Sequence, residues 1–417
     1  IVERNDFVNL MVFGKDWLDK PHFPFWLIAV SYKIFGINTF AYKLPAFLCW
    51  LMGAYYTYKF AFKAYNRSIA QLGVLLYLSA AHLVISNNDV RAEPYLTGFI
   101  IGSVYHFYIA SLNHKISRHI VWGALLAAFA VMTKGPFVLI TIGAGFIVHW
   151  IIKRDVKQLL SYKWIIAFLL IAVFSLPEVY TLYMQFDLHP EKEVFGTTGV
   201  SGVRFFFWDS QFGRFLNNGP IKGKGDPFFY VHTMLWAFLP WSLIFYIALY
   251  WKIFKSGKLF SKQEYITVGG GMIMLLIFSL SKFQLPHYLN ILFPFFCIIT
   301  AQYLCQLQKQ AWIRVISVLQ SIIIGALLLI PMLLIYFYHP AHTIVAIIYM
   351  LLVIVVTLLV FKKNGLTGIT GKSFLAALGA YGFLNIFFYT ALIDYQSGSN
   401  AAEFSNKTTD SSVTRAA

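Results

Sequence analysis

The feature that most constrains this chain is a series of apolar runs, each long enough or nearly long enough to cross a bilayer and separated by short polar breaks. A spanning helix needs about 20 mostly apolar residues. Twelve such runs can be drawn: 41–62, 68–87, 94–112, 119–134, 136–152, 162–183, 228–252, 264–281, 286–305, 312–337, 341–361 and 373–393. The short pair 119–134 and 136–152 meets at Gly135-Pro136, a dipeptide that breaks a helix and sets a tight turn. An earlier run, Phe23 to Gly36, follows prolines and would reach only about 18 Å as a helix. It is expected to lie in the membrane interface rather than span. The fold class expected is an all-α polytopic membrane protein with about 12 transmembrane helices and in-plane helices in the loops of one face.

Composition agrees. Hydrophobic residues make up 59% and charged residues 12%, where soluble domains run closer to a quarter charged. The formal charge of +16 would suggest nucleic acid in a soluble protein. Here the cations fall mainly in short loops between apolar runs, which is the pattern of a membrane protein and implies membrane lipids, and no nucleic acid, as partners. Cys49, Cys297 and Cys305 all lie inside apolar runs, as packing residues rather than disulfide partners or metal ligands.

The basic residues cluster in alternate loops: Lys59, Lys63 and Arg67; Lys115 and Arg118; Lys153, Arg154 and Lys157; Lys252, Lys255, Lys258 and Lys262; Lys309 and Arg314; Lys362, Lys363 and Lys372. These loops are expected in the cytoplasm. The opposite loops, Asn87 to Pro94, Thr133 to Pro136, Ser281 to Tyr288 and Tyr338 to Thr343, carry at most one cation each. Residues 1–40 and about 184–227 share that outer side. Residues 1–394 are expected to form one membrane domain. The tail 395–417, rich in Ser, Thr and Asn, is expected to be disordered in isolation, at the outer face, as the start of a truncated periplasmic domain.

The outer loops carry the chemistry. Asn87-Asn88-Asp89-Val90-Arg91-Ala92-Glu93-Pro94 packs three charges into one turn. Thr133-Lys134-Gly135-Pro136 and Ser281-Lys282-Phe283-Gln284-Leu285-Pro286-His287-Tyr288 each put a lysine at a span end. Asp19-Lys20-Pro21-His22 precedes the interfacial run, and Asp226-Pro227-Phe228 opens another. Isolated cations beside carboxylates on one membrane face suit a phosphate or pyrophosphate near the interface. Paired carboxylates suit a divalent cation or acid/base work. Plainer readings stand beside these. A lone loop lysine anchors a span by snorkelling, and Asp19 and Asp226 can simply cap helices. His22 and His287 can be interfacial hydrogen-bonders. The residues alone do not separate an enzyme from a transporter, although the absence of an internal repeat counts against a transporter.

The order of the motifs carries a resemblance. Lys-Asp-Trp-Leu-Asp-Lys-Pro-His-Phe-Pro-Phe-Trp-Leu, then Phe-Gly-Ile-Asn-Thr-Phe-Ala-Tyr-Lys-Leu-Pro, resembles the first outer loop and following span of the dolichyl-phosphate-mannose protein mannosyltransferase superfamily. Its bacterial members similar to the lipid A aminoarabinose transferase match best. Arg91-Ala92-Glu93-Pro94, Lys134-Gly135-Pro136, Leu239-Pro240-Trp241-Ser242 and the Lys282, His287-Tyr288, Pro294 stretch follow in order, so that the resemblance covers roughly residues 1–310. It implies a GT-C fold in a bacterial inner membrane, with the active site facing the periplasm. It also implies transfer of a sugar from a polyprenyl-phosphate donor to a lipid, glycan or protein acceptor, with inversion at the sugar carbon. The alternative is a polytopic lipid or sugar transporter or flippase.

Carried over by residue, the resemblance implies donor-phosphate contacts from Lys20, Lys134, Lys282, Arg91 and Tyr288, with support from Glu93, His22 and His287. Asp19 matches a metal-binding acid. Asp226 stands where the aminoarabinose transferase has a histidine ligand, which leaves Zn, Mg or Mn open as the divalent ion. No organic cofactor is expected. The family's catalytic base follows its first span, at a place that would lie upstream of Ile1. Asp6 and Asp16 are the fallback candidates, and the chain as it stands is expected to be catalytically inert.

Overall fold

The structure, a computed structural model, describes residues 1–88, 91–112, 116–218, 222–254, 264–340, 342–360 and 365–393. The polar tail and several of the expected cytoplasmic lysines (Lys115, Lys255, Lys258, Lys262, Lys362 and Lys363) lie outside the described residues. The chain divides by its contacts into two compact units, Ile1–Gln306 and Leu307–Ala417.

Every apolar run lies on helix. By length and apolarity, among the described residues, Val156–Asp187, Pro286–Gln306, Gln310–Tyr338 and Gly365–Leu392 can each cross a membrane alone. Arg67–Leu78 and Ala81–Asn88, bent by 55°, are long and apolar enough only as a pair, the form of a broken span or of a re-entrant loop. Fewer than the twelve runs therefore qualify unaided. The others are shorter or carry charges at their ends. Val138–Lys153, at 16 residues, reaches only about 24 Å. The protein is an all-α polytopic membrane protein; among the described residues the only paired strands form a small hairpin, Met11–Val12 with Lys15–Asp16.

The expected single run 228–252 is in fact two helices, Phe229–Ala237 and Ser242–Phe254, parted at Phe238-Leu239-Pro240-Trp241. Proline lacks an amide donor, so continuous helix through Pro240 would lose a ladder bond. The break is joined to the other break, at Ser79-Ala80. The Ala81 amide donates to the Leu239 carbonyl at 2.9 Å, and the buried Trp241 indole donates to Ser79 Oγ at 2.9 Å. Backbone groups released by two helix interruptions thus satisfy each other, as a low-dielectric interior requires.

Helices in the first unit approach closely where side chains are small, which is how membrane helices gain contact area. A Cβ on Gly98 would stand 2.3 Å from the Cys49 carbonyl oxygen, and one on Gly145 would stand 2.4 Å from that of Ile266. The first contact seats Thr39–Ala64 against Ala92–Ser111. The second seats Val138–Lys153 against Ile266–Leu280. A polar seam runs through the same unit: His82 Nδ1 meets Asn290 Oδ1 at 2.7 Å, and Asn290 Nδ2 donates to Ser86 Oγ at 3.0 Å.

The second unit packs Gln310–Tyr338, Thr343–Val360 and Gly365–Phe383 around Ile335, Ala346, Met350, Phe383 and Phe387. In its interior the Ser373 hydroxyl donates to Gln320 Oε1 at 2.8 Å.

Candidate active site

The ends of several helices of the first unit open onto one cavity of about 500 Å³. The alternation of the chain explains why. The Ala92–Ser111 helix starts where the Arg118–Lys134 helix ends, so Glu93 in a first turn and Lys134 in a last turn come to the same level. Both positions suit the helix dipole, negative at the start and positive at the end. The Lys134 ammonium meets Glu93 Oε1 at 2.7 Å, with the carboxylate side chain 2% exposed and the lysine 32%. The same ammonium sits 4.5 Å from the centre of the Tyr288 ring, a cation–π contact.

His287, beside Tyr288, lies 3.8 Å from Glu93 Oε1 through Nε2. Its Nδ1 is 2.8 Å from Arg91 Nη1. Lys20 and Asp19, paired at 2.5 Å, reach the cavity from the segment before the Phe23–Phe35 helix. The rest of the wall is apolar, with Phe25, Ile28, Phe137, Phe206 and Met274 among its members. The wall thus joins one connected charged cluster, Arg91, His287, Glu93 and Lys134, to many apolar side chains.

Seven expected residues thus line one cavity: Asp19, Lys20, Arg91, Glu93, Lys134, His287 and Tyr288. Others do not. Lys282 is exposed, its amide donates to the Phe215 carbonyl at 3.3 Å, and it is absent from the cavity wall. Asp226 is also off the wall; its Oδ1 accepts the Phe228 amide at 2.9 Å, in a turn that precedes the Phe229–Ala237 helix and does not cap it. Its Oδ2 lies 3.8 Å from His232 Nε2, both side chains more than half exposed.

A divalent ion shared by Asp19 and Asp226 is what the resemblance implies, and the donors do not fit one as placed. The carboxylate of Asp19 already carries the Lys20 ammonium. Among the described residues no three His, Cys, Asp or Glu side chains converge. No step below runs through a metal.

The fallback bases are both engaged in holding the first segment. Asp6 accepts the Val8 and Asn9 amides at 2.9 Å each and Asn9 Nδ2 at 2.9 Å. Partial burial pushes its carboxyl up, but those bonds and the Arg4 charge pull it below the ordinary carboxylate value, which makes it a weaker proton acceptor. Asp16 Oδ1 accepts Gln185 Nε2 at 2.8 Å and Lys192 Nζ at 3.0 Å.

His22 is fully buried away from the cavity wall. Its Nδ1 meets Glu178 Oε1 at 3.0 Å, and its Nε2 meets the Val8 carbonyl at 2.8 Å and Gln185 Oε1 at 3.2 Å. Glu178 also accepts the His22 and Phe23 amides at 2.9 and 3.1 Å, capping the Phe23–Phe35 helix from another part of the chain. Sequence reasoning passed over Glu178 and Gln185. A signal existed for the first: a carboxylate inside the 162–183 apolar run is costly unless it has a task.

Gln211 gave no signal at all. Its Nε2 donates to the Lys134 carbonyl at 3.0 Å, and a Cβ on Gly135 would stand 2.2 Å from that nitrogen. Gly135 also has φ +99°, a conformation that costs other residues energy. Gly135→Ala is expected to destabilise the protein by about 1–3 kcal/mol, read as a lower unfolding temperature in detergent. An unchanged temperature would remove the Gln211–Gly135 contact from the account.

With this geometry in view, relatives can be compared. Residues 19–180 match the family described as dolichyl-phosphate-mannose-protein mannosyltransferase. An uncharacterised protein of Aquifex aeolicus is 29% identical over 311 residues, covering 73% of this chain and 56% of that protein. An undecaprenyl phosphate-alpha-4-amino-4-deoxy-L-arabinose arabinosyl transferase of Pseudomonas fluorescens is 25% identical over 280 residues, covering 66% of this chain and 46% of that enzyme. The crystal structure of ArnT from Cupriavidus metallidurans bound to undecaprenyl phosphate superposes with a TM-score of 0.75 at 17% identity, over 99% of this chain and 74% of that one. The fold is that of a GT-C glycosyltransferase. The chain resembles the mannosyltransferase superfamily and, within it, the aminoarabinose transferases. It spans about half the length of the curated relatives it matches. The superposition covers the helices that bring the seven residues to one cavity.

Proposed function

We propose that this protein is an integral membrane glycosyltransferase that moves a sugar from a polyprenyl-phosphate donor to a lipid, glycan or protein acceptor at the outer face of a bacterial inner membrane. The observation that carries the reading is the shape and polarity of the cavity. Lys20, Arg91 and Lys134 line one space together with many apolar side chains, Phe, Ile, Leu and Met among them. A phosphate on a long hydrocarbon combines the same two characters. The named donor chemistry of the Pseudomonas relative and the lipid in the Cupriavidus structure support it. The outward placement rests on the basic residues, which favour the opposite loops.

In the reaction the bond between the sugar carbon and the phosphate oxygen breaks, the acceptor atom bonds to that carbon, and the electron pair stays on the departing lipid phosphate. Cations fixed near that oxygen stabilise the growing charge without reorganising. The apolar wall excludes water that would otherwise hydrolyse the donor. A transporter would need no such fixed cluster, and none of the relatives compared supports that alternative. The test is reconstitution in sealed lipid vesicles with a labelled undecaprenyl-phosphate sugar and a panel of acceptors. Label transferred to an acceptor supports the reading. Label that crosses vesicle membranes intact, with no transfer to any acceptor, overturns it.

A further inference from the structure

The Arg91–His287 contact has a chemical consequence that does not depend on which sugar is moved. A guanidinium has donors and no acceptor. Arg91 Nη1 lies 2.8 Å from His287 Nδ1, so Nδ1 must offer its lone pair. The imidazole is then neutral, with its hydrogen on Nε2. That nitrogen is 3.8 Å from Glu93 Oε1, beyond hydrogen-bond range. Glu93 Oε1 is instead taken by Lys134 at 2.7 Å. Among the described residues, Nε2–H has no acceptor within reach, yet the His287 side chain is 14% exposed and lines the cavity. A neutral N–H donor is thereby held, in one tautomer, beside the Lys134–Glu93 pair on the cavity wall.

We propose that His287 is a phosphate-binding residue, its Nε2–H donating to a non-bridging oxygen of the polyprenyl phosphate, and that Arg91 is the positioning residue that fixes this tautomer. The inference rests on the donor reading above and adds a specific contact to it. It also gives Arg91 a different task from direct phosphate binding. The imidazole that Arg91 orients carries no net charge, so the site gains a hydrogen bond to the phosphate without adding a further cation to Lys20, Arg91 and Lys134.

Two substitutions separate the donor from the scaffold. His287→Asn keeps an oxygen able to accept from Arg91 but places no donor where Nε2 stands. His287→Gln reaches further and returns an amide N–H toward that place. Binding of undecaprenyl monophosphate to the purified protein in detergent, followed by native mass spectrometry, is the readout, with unfolding temperature as control. His287→Asn is expected to weaken binding roughly tenfold or more, the size of a hydrogen bond to a charged group, and His287→Gln to recover most of it. Wild-type affinity in His287→Asn, while Lys134→Gln loses binding, overturns this inference alone. Equal losses in both His287 variants together with a lowered unfolding temperature make His287 merely structural and overturn it too. Failure of the wild-type protein to bind the lipid phosphate overturns the donor reading, and this contact with it.

Discussion

In a form of the enzyme that turns over, Lys134→Gln is expected to lower sugar transfer by about a hundredfold or more. Its ammonium is the best-fixed cation in the cavity, held by Glu93 at 2.7 Å and by the Tyr288 ring at 4.5 Å. A cation that is already in place when charge develops on the departing phosphate is worth more than one that must move there. The substitution has a second effect, on stability. Glu93 is 2% exposed, and removing its partner leaves a buried charge with the weak support of His287 at 3.8 Å. Breaking a buried pair commonly costs about 3–5 kcal/mol. Lys134 is a third exposed, so water recovers part of that and the lower end is expected. The double variant Glu93→Gln with Lys134→Gln separates the two effects. It replaces the pair by neutral amides, and should regain unfolding temperature without regaining turnover. Turnover of the single variant within twofold of wild type would retire Lys134 as a phosphate contact.

How much of this was legible beforehand follows from the kind of signal each feature leaves. Helix positions were legible because lipid demands long apolar runs, and every such run is helical. The interruption at Pro240 was passed over because a 25-residue apolar stretch reads as continuous even when one proline sits inside it. The cavity residues were legible in part. Glu93 and Lys134 were marked by being charges at span ends, and their meeting follows from the antiparallel course of consecutive helices. Lys282 carried the same mark, but its side chain is exposed and off the cavity wall. A loop lysine two residues past a helix end can point to either side, and nothing in the local pattern decides which. Gln211 was invisible because a neutral glutamine in a long loop, among aromatic residues, carries no mark of its own. Only the glycine opposite it, at φ +99°, records the close approach.

The second large effect is expected at a residue that touches no substrate. Glu178→Ala should lower stability by about 3–5 kcal/mol, read as a fall of several degrees in unfolding temperature. Its two oxygens accept the His22 amide, the Phe23 amide and His22 Nδ1 at 2.9, 3.1 and 3.0 Å. Glu178 and His22 are both fully buried, so three donors would lose their acceptor with no water to replace it. The consequence runs on to the cavity. His22 Nε2 holds the Val8 carbonyl, and Gln185 holds Leu10 and Asp16 in the same cluster. Asp19 and Lys20 lie between Asp16 and His22 in sequence, so their placement at the cavity mouth depends on both anchors. Glu178→Ala is therefore expected to raise KM for the donor lipid more than it lowers kcat, and to open residues 1–20 to proteolysis in detergent. Glu178→Gln keeps an acceptor oxygen for the helix start and should fall between the two. An alanine variant that melts with the wild type and resists the protease equally would mean that the first segment is held by other contacts, with the Trp26 indole bond to the Phe7 carbonyl, 2.8 Å long, the next to remove.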